Sequence, residues 1–247
     1  MPPTFIQKIA DKGKDLARDM YGLNGWAIHH NISIWREAYP SDGFVYWFFW
    51  NMSGPWLCNH LWEHYLFTKD ANFLKKYYPI LKGAATFCSE WLVKNSKGEL
   101  VTPVSTSPEN AYLMGDHTPA SVCEGSTMDI AIIRSLFSNT IQAAEILQTD
   151  MDFRSELIKK RNKLKKYQIG SKGQLLEWDK EYSHNTATYP ISLDCIRDVI
   201  LQIVLRKYLK QHENLWMTVE IKLQDGVWHG KSLFGHVYTI LRMLMKH

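Results

Sequence analysis

Cysteine is sparse in this chain, and the little there is does not cluster. Cys58, Cys88, Cys123 and Cys195 lie far apart without CxxC spacing, which argues against a zinc knuckle or a disulfide framework and leaves buried thiols. No apolar run reaches the roughly eighteen residues of a membrane span, and the amino-terminal MPPTFIQKIADKGKD lacks the apolar core of a signal peptide. The chain is therefore expected to be soluble and not membrane-bound. Its localisation stays open, because a chain lacking its natural beginning would also lack its signal. Convincing alternating strands are missing too, so the pattern is read as all-α.

What is present is a large apolar content. The 247 residues are 45% hydrophobic and 13% aromatic, enough for one globular domain with a sizeable core. The net charge of +4 comes largely from LIKKRNKLKKY at 157–167, with six Lys/Arg and no acid. That run reads as a solvated helix face, and no nucleic-acid partner is expected.

Residues 4–20 place Ile6, Ile9, Leu16 and Met20 near helical spacing. Residues 44–68 are apolar on nearly all sides, as in an element packed within a bundle, with Gly54-Pro55 kinking or restarting it. Asp70 is a helix N-cap, followed by one face of Phe73, Leu74, Tyr77, Leu81, Ala84, Phe87, Cys88 and Trp91. After a loop at 95–126, a further helix is predicted from about Ser126 to Gln148. Inner apolar helices thus alternate with outer amphipathic ones, which suits a helical toroid with a concave site at one end.

Three motifs carry chemistry: HHNISIW at 29–35, HLWEHY at 60–65 and TSPEN at 106–110. They set imidazoles, carboxylates and amides among aromatic rings, as a sugar-cleaving pocket requires. Glycoside hydrolysis needs an acid for the leaving oxygen and a base, or base-activated water, across the ring. Glu109 is the candidate acid: it follows Pro108 in a loop, beside apolar residues able to raise its pKa. Its competing reading is a turn cap. Asn31 and Ser33 alternate with Ile32 and Ile34, so both point one way if the segment is extended and can orient a water. His29 or His30 can donate to a sugar hydroxyl, and Trp35 offers a face to sugar C–H groups.

His60, Glu63 and His64 match the H-x-x-E-H pattern of one zinc-peptidase class. No third ligand is identifiable in helical surroundings, so no metal or other cofactor is expected, and Glu63 is read as bonding a substrate hydroxyl.

Five ordered segments, GWAIHHNISIW, WLCNHLWEHYLFTKD, LVTPVSTSPEN, TMDIAIIRSLFSNTIQAAEIL and IGSKGQLLEW, resemble the glycoside hydrolase family 95 α-L-fucosidases from about Tyr21 to Tyr182. The resemblance implies a partial (α/α)6 barrel, a six-hairpin toroid. It also implies metal-independent, inverting hydrolysis of terminal α1,2-linked L-fucose from an oligosaccharide or polysaccharide. By motif, Glu109 is the general acid, Asn31 and the position of Ser33 hold the nucleophilic water, and His29 and Glu63 bind the sugar. Ser33 departs from the Asn or Asp of the family. Residues 1–182 are thus expected to be a catalytic domain incomplete at its amino terminus.

After Tyr182 the resemblance stops. Back-translating Ser183 to Val199 and reading from the third base allows SQHRHISHLFGLYPGRD, and the same shift over Val219 to Phe234 allows GNQTAGWSMAWKISFW. Both match the text the family would have there. Residues 183–235 therefore read as out of frame, and 236–247 as a return to the barrel-helix frame. As written, the chain lacks the family's Arg-His pair and base, and is expected to be inactive. The alternative is a noncatalytic helical fragment with residual carbohydrate binding.

Overall fold

A computed structural model describes residues 3–33 and 35–182. The expectations for 183–235 and 236–247, and for Cys195, lie outside the described residues.

The chain opens with α1 (Pro3–Tyr21), a single long helix. Ile6, Ile9 and Leu16 are fully buried as their spacing predicts, whereas Met20 is 42% exposed. The reason is at the helix end, where Tyr21 packs against the core in its place and Gly22 turns the chain at φ 65°.

The apolar stretch beginning at residue 44 divides into α2 (Val45–Phe48) and α3 (Ser53–Thr68). The break falls at 49–52, and Pro55 sits in the first turn of α3, where its missing N–H costs nothing. Leu57, Cys58, Leu61 and Trp62 bury this helix on several sides. Helix α4 (Ala71–Trp91) starts where Asp70 caps it, the carboxylate accepting from the N–H groups of Asn72 at 2.9 Å and Phe73 at 3.1 Å.

The connection out of α4 is not plain loop. Strands β1 (Val93–Lys94) and β2 (Leu100–Val101) form one two-residue hairpin, and β3 (Tyr112–Leu113) and β4 (Pro119–Ala120) another, each antiparallel. Helix α5 (Thr127–Leu147) follows an N-cap at Ser126, whose hydroxyl accepts from Asp129 N–H. Helix α6 (Met151–Lys163) then packs on α5. The main packing runs α3 on α4, α4 on α5, α5 on α6 and α3 on α5, giving one continuous core shared by α1, α3, α4 and α5.

The basic run is less solvated than its composition predicts. Lys160 donates to the Ser89 carbonyl and hydroxyl, Arg161 to the Ser138 hydroxyl, and buried Lys165 to the Gly125 carbonyl. Half of its cations therefore fasten α6 and its exit to the bundle, satisfying backbone and hydroxyl acceptors that packing removes from water. Cys58, Cys88 and Cys123 are buried free thiols, each held protonated by burial above the ordinary thiol range.

Trp26 locks the start of the motif region to the bundle. Its indole N–H donates to the Ile80 carbonyl at 2.9 Å. Three helices turn a glycine toward its ring: a Cβ would come 3.1 Å from Cε3 at Gly13 of α1, 2.6 Å from Cζ3 at Gly54 of α3 and 2.8 Å from Cδ1 at Gly83 of α4.

Candidate active site

Three residues beyond Trp26 the chain reaches the two histidines. Helix α2 is a single turn, so its last carbonyls have no partner within the helix. The histidine segment supplies them. His29 Nδ1 lies 3.1 Å from the Phe48 carbonyl, and His30 Nδ1 lies 2.8 Å from the Trp47 carbonyl, which also accepts from the Asn31 amide at 3.3 Å.

A carbonyl only accepts, so in each neutral ring Nδ1 carries the proton and Nε2 is the acceptor. For His29 that acceptor is filled by the Tyr21 hydroxyl at 2.8 Å. His29 is fully buried, and burial lowers its pKa to about 4 against the opposing bond to Phe48. With both nitrogens engaged and no exposed surface, His29 offers no face to a sugar here, contrary to the direct contact expected from its motif. His30 does offer one. Its side chain retains 26% exposure and lies edge-on to Trp50, ring centroids 5.9 Å apart.

His30, Ile32, Trp50, Ser53, Trp56, Leu57, Pro108 and Met128 line a cavity of about 390 Å³, a size typical of small-molecule pockets. Its walls are apolar apart from His30 and Ser53. The second wall comes from the TSPEN segment. Asn110 N–H donates to the Ser107 carbonyl at 2.7 Å, closing a reverse turn that leaves Glu109 at its apex. Thr106, Ser107 and Asn110 are buried around it, while the Glu109 side chain stays 56% exposed, its Oε1 3.9 Å from His30 Nδ1. The fold thus brings together a carboxylate and an imidazole from segments nearly eighty residues apart.

Two acidic residues to which the sequence assigns no chemistry hold these walls. Asp129, fully buried in the first turn of α5, accepts from Trp50 Nε1–H at 2.8 Å and from the Thr102 hydroxyl at 3.0 Å. Burial pushes its pKa up to about 6 against the hydrogen bonds it accepts. Glu177, 8% exposed, accepts from the Asn110 amide at 2.6 Å. Its pKa is raised by burial, which outweighs hydrogen bonds to Asn110 and Ser107.

The remaining motif residues spread outward. Ser33 opens a turn, its carbonyl accepting from Arg36 N–H at 2.9 Å. Its hydroxyl donates to Glu37 at 3.3 Å, while the Asn31 amide reaches Ser41 and Trp47. Trp35 is 72% exposed and does not line the cavity. Glu63 shares an α3 face with His60, 3.7 Å away, and Trp56, but lies seven residues, or about 10 Å of helix, beyond that cavity-lining tryptophan. His64 instead packs on Phe73 at 4.0 Å. Among the described residues no group of three His, Cys, Asp or Glu is arranged to hold a metal ion, and no helix is long and apolar enough to cross a membrane.

Comparison with known proteins gives this geometry a context. Over 180 residues the chain is 39% identical to alpha-L-fucosidase 2 of Arabidopsis thaliana, a match covering 72% of this chain and 21% of that protein. Over 174 residues it is 29% identical to probable alpha-fucosidase A of Aspergillus niger, covering 68% of this chain and again 21% of the relative. The chain thus spans about a fifth of the length of the curated relatives it matches. Residues 3–189 match the model of the glycosyl hydrolase family 95 catalytic domain, and the chain belongs to that family, as part of its helical toroid.

Proposed function

We propose that this chain carries the acid-bearing part of an α-L-fucosidase site, and that as written it binds a terminal L-fucosyl group without cleaving it. The observation behind the reading is Glu109, half-exposed on a buried turn and 3.9 Å from His30 at an apolar cavity. L-Fucose is a 6-deoxy sugar, with a methyl group suited to apolar walls and hydroxyls suited to His30 and Asn31.

In the proposed reaction on an α1,2-linked fucoside, Glu109 gives its proton to the glycosidic oxygen as the C1–O bond breaks. A water oriented by Asn31 attacks C1 from the opposite face, so the product anomer is inverted. His30 takes the sugar-contacting role, while His29 acts behind it by fixing the α2 carbonyls. Ser33, bonded to Glu37, is a weak substitute for a water-holding amide. Glu63 and Trp35 are assigned to parts of a longer glycan beyond the fucosyl unit. The base that accepts the water's proton belongs to the text displaced by the frame shift over 183–235. The family match ends at residue 189, within the segment read as out of frame. The L-galactosides, one hydroxyl richer, are the substrate class to compare.

Saturation-transfer NMR with a 2'-fucosyl oligosaccharide tests both halves of the proposal. Binding without release of fucose is expected, with a loss of about fivefold in affinity in His30→Ala, the value of one hydrogen bond. No binding would refute the pocket assignment. Release that Glu109→Gln abolishes would refute inactivity, and release that it leaves intact would refute the role of Glu109.

A further inference from the structure

Asp129 has no place in the reaction just described, yet it is a carboxyl group with no exposure at all. A buried carboxyl is retained at a cost unless its partners need it. Its partners belong to the two sides of the cavity. Oδ1 takes the Trp50 indole N–H, and Oδ2 takes the Thr102 hydroxyl at the start of the segment leading to Glu109. The same segment is tied down once more beside it, where the Ser105 hydroxyl donates to Ser126 at 2.7 Å and Ser126 to the Thr106 carbonyl at 3.3 Å. Met128, its neighbour in sequence, lines the cavity.

Trp50 has one polar atom, and Asp129 takes it. With that bond intact the indole plane is fixed edge-on to His30. Without it the ring is left with packing and its edge contact with His30, neither of which ties it to the segment leading to Glu109. Positioning of this kind matters because binding groups must be held within roughly 0.5 Å of the productive geometry.

We infer that Asp129 is a positioning residue for sugar binding, acting through Trp50 to hold the cavity's aromatic wall in register with the segment that carries Glu109. The inference rests on the proposed sugar pocket and extends it to a group the sugar never touches.

The test is a double-mutant cycle in the full chain, with methyl α-L-fucopyranoside as the probe and the Trp50 indole N–H resonance, assigned with Trp50→Phe, as the reporter. Asp129→Ala is expected to weaken binding about tenfold, the value of a hydrogen bond to a charged group, and to shift the indole resonance. In the Trp50→Phe background the same change should cost nothing further. Asp129→Asn, which keeps an acceptor for the indole, should weaken binding only about threefold while moving the resonance. That variant carries the test if the alanine form is too unstable. Effects that multiply in the double mutant, or a moved resonance with unchanged affinity, would overturn the inference while leaving the pocket assignment standing. A wild-type chain that binds no fucoside would remove both.

Discussion

Replacing His29 with Asn should produce a stability difference that reverses with pH. At neutral pH the change removes the acceptor of the buried Tyr21 hydroxyl, which costs about 1–3 kcal/mol, so a deficit near 2 kcal/mol is expected. The wild-type ring ionises at about 4 in the folded chain, against roughly 6.5 when unfolded. Between those values the unfolded chain binds the extra proton, so wild-type stability falls on acidification by about 1.4 kcal/mol per pH unit. The asparagine variant lacks this loss. The two stability curves should therefore cross near pH 5, at roughly 1.4 kcal/mol per unit below pH 6.5, and by pH 4 the variant should be the more stable. All other titrating groups cancel in the difference. Urea unfolding followed by circular dichroism at pH 4, 5, 6 and 7 would measure it. A deficit that stays constant or widens toward acid would refute the assignment of a buried, neutral His29 bonded at both nitrogens.

Asp129 should show the opposite sign. Its folded pKa of about 6 lies above the ordinary 3.8, so its favourable contribution is present at low pH and lost as pH rises through 6. Asp129→Asn should gain on wild type by up to about 3 kcal/mol between pH 4 and 6 and no more above it; a pH-independent difference in the same urea series would contradict this. Asp70→Ala removes the two-handed N-cap of α4 and should cost about 1 kcal/mol. That is a fall of roughly 2–4 °C in Tm by thermal circular dichroism, and an unchanged Tm would show the cap to be replaceable by water.

The long elements were legible because their signals are local. Asp70 and Ser126 cap helices where their side chains can reach the first N–H groups, and the apolar stretch 44–68 is interior over α3 as far as Tyr65, whereas α2 buries no residue and Phe67 is exposed. The hairpins were not legible, since strands of two residues are too short for alternation to register. At the site, sequence placed two histidines but could not choose between them. Adjacent residues in non-helical chain face opposite sides, and only the location of α2 decides that His29 turns inward and His30 toward the cavity. At Ser33 the sequence did not show the turn that Arg36 N–H closes just beyond it, nor the bond from its hydroxyl to Glu37. Asp129 and Glu177 lie within the TMDIAII and GQLLEW segments, but nothing there singles them out. Their significance lies in burial and in partners 27 to 79 residues distant, which no spacing rule reaches.

The socket around Trp26 also bears on how this part of the sequence can change over time. Positions 13, 54 and 83 lie in three different helices; at 54 and 83 the indole leaves no room for a methyl group, and at 13 the Ala27 carbonyl, 2.6 Å from a Cβ, excludes it beside the same ring. While residue 26 is tryptophan, none of the three can drift individually, whatever the helix propensity of the alternatives. A smaller ring at 26 would leave a void until 54 or 83 grew to fill it. Positions 26, 54 and 83 therefore form one unit of substitution, joined by volume rather than by chemistry, at the root of the histidine segment.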